Sequence, residues 1–216
     1  LRRHAPPLRL VDIGCGSGDF CLAARDAGFQ VLAADAAPVA PAAIRAQPGI
    51  AYARFDFESF DLAGPRPAGP YTVVLRHVLE HARDPPRMLQ RLREQGGQVF
   101  YLVVPNAASL ERRLLGRHWY SWDPPRHLWH FDDASLDLAC RRAGLTVAAR
   151  GRATAPTLVP SLYRALRRAG WPPFAYRPFG PDTLLTAITS PLNLLLAGNV
   201  LWRIATVADL GIDRRH

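Results

Sequence analysis

Three glycines stand at alternate positions, Gly14, Gly16 and Gly18, directly after the apolar run LRLVDI. Such a loop lets a ligand lie against bare backbone, because glycine brings no Cβ into the contact. A nucleoside-triphosphate loop needs Gly-Lys-Ser/Thr after its glycines, and this chain contains no lysine. The dinucleotide fingerprint G-x-G-x-x-G asks for glycine at position 19, where Asp19 stands. Asp12, two residues before Gly14, would repel a pyrophosphate and attract a cation. S-adenosylmethionine meets these conditions, since it has no phosphate and carries a sulfonium and an ammonium group. A nicotinamide-dependent oxidoreductase is the alternative, and Asp12 and Asp19 disfavour it.

Two further carboxylates agree with an adenosyl ligand. Asp35 ends a second apolar run, 17 residues after Gly18, where an acid can accept from both ribose hydroxyls. Asp56 follows a third run and can accept from an adenine amino group, with Phe57 beside it. Either acid alone could be a helix cap. Histidines supply the remaining chemistry. His77 follows a fourth run, His81 closes HVLEH with Glu80, and His127 and His130 lie in a long connection. A histidine of near-neutral pKa can take a proton from an acceptor hydroxyl. The opposing reading makes His77 and His81 part of the cofactor site's architecture and His127 and His130 loop anchors. His127 and His130 are three apart, and Glu80 with His81 could join them around a metal. The motif holds no third clear ligand, so no metal is expected.

The elements that must carry these residues alternate regularly. Strands are expected at LRLVDI, FQVLAAD, IAYARFDF, YTVVLRH, QVFYLVVP and LTVAARG. Helices are expected at DFCLAARDAG, PVAPAAIRAQ, the segment capped by Asp84 with Pro85 at its first position, and DDASLDLACRRAG. Residues 105 to 131 read as a long connection. The alternation implies an α/β fold, a Rossmann-like, mostly parallel sheet with helices on both faces, and such sheets bind ligands beyond their strands' carboxyl ends.

Residues 1–152 are thus expected to form the cofactor-binding domain and 153–216 a helical C-terminal extension. Within the latter, Thr183 to Trp202 run without a charge. Residues such as Pro191, Asn193 and Asn199 make bilayer insertion costly. The extension is expected to roof the site, to pair subunits as a homodimer, or to lie on a membrane surface through 161–208, with Arg164, Arg167, Arg168, Arg177 and Trp202 at the headgroups.

The composition is globular, 49% hydrophobic and 21% charged over 216 residues. Net charge is +9, yet all 27 basic residues are arginine and they are dispersed, so no nucleic-acid partner is expected. Cys15, Cys21 and Cys140 form neither a disulfide framework nor a metal pair, which fits a cytoplasmic location, with the membrane's cytoplasmic face as the alternative. The chain lacks an initial Met and reaches a strand almost at once, so an upstream segment is expected.

VDIGCGSGDF resembles the first motif of class I S-adenosylmethionine-dependent methyltransferases. YTVVLRHVLEHARDP resembles the FDVV…HVLEH…DP stretch of the branch that includes the ubiquinone-biosynthesis O-methyltransferases. VPN at 104–106 and PRHLWHF at 125–131 are similar to a bacterial subgroup of that branch. Thr72 departs from the aspartate usual there. The resemblance spans residues 8 to about 150. It implies methyl transfer from S-adenosylmethionine to a small-molecule acceptor, such as a lipid-linked, quinone-like or glycan precursor. Cofactor contacts are implied for Asp12, Gly14, Cys15, Gly16, Gly18, Asp35, Ala36, Asp56, Phe57, Arg76 and His77. His77, His127 and His130 are the catalytic candidates. A non-catalytic, membrane-recruited module with this fold is a further alternative.

Overall fold

The computed structural model describes residues 8–155, 157, 161, 164–166, 168, 169 and 198–207. Its centre is one eight-stranded sheet: β1 (Arg9–Ile13), β2 (Gln30–Asp35), β3 (Ala51–Asp56), β4 (Asp61–Ala63), β5 (Tyr71–Arg76), β6 (Gly97–Pro105), β7 (Leu145–Ala153) and β8 (Val200–Val207). The spatial order is β4-β3-β2-β1-β5-β6-β8-β7. Strands β1, β2, β3, β5 and β6 pair in parallel. Strand order reverses between β1 and β5, which opens a crevice at their carboxyl ends.

The helices are α1 (Asp19–Asp26), α2 (Ala42–Arg45), α3 (Pro85–Glu94), α4 (Leu110–Leu115) and α5 (Asp133–Arg142). Local chemistry starts α3 and α5 where the sequence predicts. Asp84 accepts from the Arg87 amide, with Pro85 at the first helical position. Asp132 and Ser135 bond reciprocally as a capping box at the head of α5. Met88, Leu89 and Leu92 put the apolar face of α3 fully inside. Each such side chain contributes roughly 1.5–3 kcal/mol of burial. The core lies on both faces of the sheet, with Ile13, Leu75 and Phe100 on one and Leu10, Phe29 and Val74 on the other.

Three elements depart from the sequence reading. A short antiparallel strand, β4, follows β3. The connection after β6 contains helix α4, capped by Ser109. Most consequentially, residues 200–207 are not helical. They form β8, antiparallel to both β6 and β7, so the sheet draws on residues beyond 152. The segment is rich in β-branched and aromatic residues, Val200, Trp202, Ile204, Thr206 and Val207, which suit a pleated surface. Arg203 hides this pattern in the sequence. It is fully buried in β8, its Nε donating to Asp137 at 2.5 Å and its Nη2 to Asp133 at 2.6 Å.

Two residues expected at lipid headgroups are engaged with protein. Trp202 lies over Gly151 of β7, where a Cβ would meet its ring at 2.5 Å. Arg164 donates to the Tyr120 carbonyl and pairs with Asp123 at 3.4 Å. Arg167, Arg177 and the apolar run Leu184, Leu185, Ile188, Leu192, Leu195 and Leu196 lie outside the described residues. Among the described residues no helix is long and apolar enough to cross a membrane.

Candidate active site

The loop after β1 is pinned to β2, since Gly14 and Cys15 donate to the Ala34 carbonyl at 2.8 and 3.1 Å. Gly14, Gly16 and Gly18 all have positive φ, but their surroundings differ. A Cβ on Gly14 would meet Val78 at 2.4 Å, and one on Gly18 would meet Ile44 at 2.6 Å. Nothing lies within 4 Å of a Cβ at Gly16. The outer two glycines therefore serve the protein's own packing, and the middle one borders open space that a ligand can fill.

Asp35 reaches across this loop. Its Oδ2 accepts from the Gly16 amide at 3.0 Å and its Oδ1 from Ala36 at 2.7 Å. Each oxygen keeps a further lone pair, enough for a pair of ribose hydroxyls. Asp56 is exposed at the end of β3 and accepts from the Glu58 amide at 2.8 Å. That bond holds its carboxyl below the ordinary range. Phe57 is half-buried, edge-on to Phe55 at 4.9 Å. Arg76, at the end of β5, lies 4.7 Å over the ring of Phe20 in α1.

Asp12 is buried, 2% exposed, and accepts from the Cys21 thiol at 3.2 Å. Burial raises its carboxyl to about 6. Cys21 is a partner that spacing alone did not reveal, although it lies in the first turn of α1.

The histidines gather on the acceptor side. His77 has φ +56°, its amide bonded to Val103 at 2.8 Å and its Nδ1 3.5 Å from Glu80 Oε1. Glu80 is 1% exposed, and among the described residues neither of its carboxylate oxygens has a hydrogen-bond partner. Its backbone carbonyl accepts from Leu128 and Trp129, which docks the 125–131 stretch beside HVLEH. His81 Nδ1 lies 2.9 Å from the Arg126 carbonyl, and His127 Nδ1 lies 2.7 Å from that of Ser121. A carbonyl only accepts, so both Nδ1 atoms carry the proton and the neutral rings keep their lone pairs on Nε2.

His127 Nε2 stands 4.0 Å from Glu80 Oε1 and 3.8 Å from Asp123 Oδ2. Glu80, His81 and His127 each bring a ligand atom within 4.8 Å of the others. Lone pairs facing a carboxylate repel unless a proton or a metal cation stands between them. Burial lowers the His127 pKa, which weakens the proton as the answer. The cluster can therefore hold a divalent cation, a grouping the sequence raised and then set aside for want of a third clear ligand. His130 stands apart from it. Its Nε2 donates to the Trp122 carbonyl at 3.3 Å and its ring packs on Trp122 at 4.6 Å.

The glycine loop, Asp35, Asp56 and His77 thus meet along the carboxyl ends of β1, β2, β3 and β5, where the strand order reverses. A methyltransferase-domain model matches residues 1–150. The chain is 35% identical to a ubiquinone biosynthesis O-methyltransferase of Cereibacter sphaeroides over 153 residues, covering 64% of this chain and 60% of that protein. It therefore spans less than two thirds of that relative's length. The O-methyltransferase of neocarzinostatin biosynthesis, in complex with S-adenosyl-L-homocysteine and 1,4-dihydroxy-2-naphthoic acid, superimposes with a TM-score of 0.52 at 26% identity, covering 66% of this chain and 45% of that one. An S-adenosylmethionine-dependent methyltransferase of Mesorhizobium loti shares the fold with a TM-score of 0.58 at 18% identity, covering 92% and 90%. Motif, fold and relatives agree, and the chain belongs to the class I S-adenosylmethionine-dependent methyltransferases.

Proposed function

We propose that this protein transfers the methyl group of S-adenosylmethionine to a hydroxyl of a small aromatic, quinone-like acceptor. The observation that carries the reading is the open space at Gly16 bounded by the Asp35 carboxylate. In this reading Asp35 accepts from the ribose, Asp56 and Phe57 receive the adenine, and the glycine loop takes the amino-acid portion. Methyl transfer is an in-line displacement at a sulfonium carbon, so the chain's main task is to align the acceptor and exclude water. His77, at the end of β5 and 46% exposed, takes the acceptor's proton.

The hydroxyl as acceptor group is supported by the likeness to two O-methyltransferases. A lipid-linked acceptor agrees with exposed Leu110, Leu114, Leu128 and Trp129, all on the connection between β6 and α5. Ser161, beyond β7, packs on this side and accepts from the Tyr120 amide at 2.8 Å. The test is transfer of labelled methyl from S-adenosylmethionine to catechol- and quinol-type acceptors, with and without a prenyl tail. Labelled ether product supports the reading. Label found only on amines or carbon would refute it.

A further inference from the structure

A buried carboxylate normally carries a partner, and Glu80 has none among the described residues. Two imidazole nitrogens approach its Oε1, His77 Nδ1 at 3.5 Å and His127 Nε2 at 4.0 Å, too far for a good hydrogen bond. Glu80, His81 and His127 nonetheless converge on one space, since each brings a ligand atom within 4.8 Å of the other two. A water does not fit between atoms so close, but a bare cation does. Bonds from Zn2+ to an imidazole nitrogen and a carboxylate oxygen measure about 2.0–2.2 Å, so two of them span the 4.0 Å from His127 Nε2 to Glu80 Oε1. The groups that shield this oxygen from water include the ligands themselves.

The imidazoles are set for this role. His81 Nδ1 donates to the Arg126 carbonyl at 2.9 Å, and His127 Nδ1 to the Ser121 carbonyl at 2.7 Å. Such outer bonds fix the tautomer of a metal-binding histidine and leave Nε2 as the ligand. The frame is held as well. The Glu80 carbonyl accepts from the Leu128 and Trp129 amides at 2.8 and 3.1 Å, and the Trp129 indole donates to the Ala82 carbonyl at 2.9 Å. Two segments far apart in sequence are thereby locked with their ligands face to face.

Two imidazoles and one carboxylate favour a divalent transition cation over Mg2+, which prefers oxygen ligands. Three protein ligands also leave a coordination position open. Glu80 Oε1 is 3.5 Å from His77 Nδ1, so a cation bonded to it lies within about 6 Å of that nitrogen. We propose that Glu80, His81 and His127 bind one divalent transition cation, whose open position takes the acceptor oxygen beside His77. The acceptor's place rests on the methyl-transfer reading above, whereas the cation site rests on the ligand geometry alone. The cation makes the bound hydroxyl more acidic. The O–H proton passes to His77 and the oxygen bonds to the methyl carbon. The C–S bond breaks with its electron pair staying on sulfur, which leaves S-adenosylhomocysteine.

Isothermal titration of the chelator-treated whole chain with MnCl2 and with ZnCl2 tests the site. One ion per chain is expected, with Zn2+ at least tenfold tighter than Mn2+. Glu80→Gln and His127→Ala should each weaken binding at least tenfold while S-adenosylhomocysteine affinity stays unchanged. No saturable binding, or binding unaltered in both folded variants, overturns the site. Water-proton relaxation of the Mn2+-loaded chain tests the role, because an acceptor that is methylated should displace bound water and lower the relaxation rate. An unchanged rate with such an acceptor overturns the acceptor's place on the cation. Stoichiometric ion binding without methyl transfer to any hydroxyl would count against the reaction and leave the cation site standing.

Discussion

Asp12→Asn should make the empty protein more stable and its cofactor complex weaker. The Asp12 carboxyl is buried with one thiol for a partner, and burial lifts it from 3.8 to about 6. A shift of that size corresponds to about 3 kcal/mol carried by the folded state. The folded value lies above the unfolded one. Below about pH 4 both states are protonated and nothing is lost. Between about 4 and 6 stability falls as pH rises, because the unfolded chain releases its proton first, and above about 6 the whole cost is present. Asparagine keeps the shape and an oxygen for Cys21 but carries no charge. Urea unfolding should show the variant about 1–3 kcal/mol more stable at pH 7.5, with the gap shrinking at pH 5. The retained charge is then explained by ligand binding, a trade of stability for function. The variant should bind S-adenosylmethionine at least tenfold more weakly. A variant that is less stable at pH 7.5, or that binds the cofactor as tightly as the parent, would refute this account of Asp12.

Other predictions separate packing from chemistry. Gly16→Val should abolish cofactor binding and cost stability only through its positive φ, about 1–2 kcal/mol, whereas Gly14→Ala and Gly18→Ala should lower the melting temperature further, since their Cβ atoms would also strike Val78 and Ile44; thermal melts with and without S-adenosylhomocysteine distinguish the cases. Asp137→Ala should destabilise by about 3–5 kcal/mol, as for a buried ion pair that loses one partner, because it strips Arg203 of its shortest bond; denaturant titration reads this directly. Mn2+ or Zn2+ should raise the melting temperature through Glu80, His81 and His127, and Glu80→Gln should abolish that rise. An equal rise in the variant would show the cation bound elsewhere.

What the sequence revealed and what it hid follow from the range of the interactions. The Asp84 and Asp132 caps and the glycine loop are built by residues within a few positions of one another, so their spacing announces them. Asp35 is legible because a strand end fixes where an acid points. Strand β8 was hidden because its apolar pattern is broken by Arg203, whose charge is neutralised by residues about seventy positions away. Glu80, His81 and His127 meet only because the 125–131 stretch folds back on HVLEH through the Glu80 carbonyl. Spacing also pointed to His130 as a companion of His127, yet its ring is spent on Trp122. Arg112 and Trp119 fall in the stretch 105–131, which reads only as a long connection, and their unpaired donors appear only once burial is known.

The central claim is that the loop at Gly14–Gly18 and Asp35 hold S-adenosylmethionine. Isothermal titration with S-adenosylhomocysteine and with NADH, on the parent chain and on Asp35→Ala, tests it most directly. The account predicts one S-adenosylhomocysteine per chain, a loss of about 1–3 kcal/mol in the variant, as for a ribose left without its acceptor, and no heat from NADH. Saturable NADH binding, or an Asp35→Ala chain that binds S-adenosylhomocysteine as tightly as the parent, would contradict it.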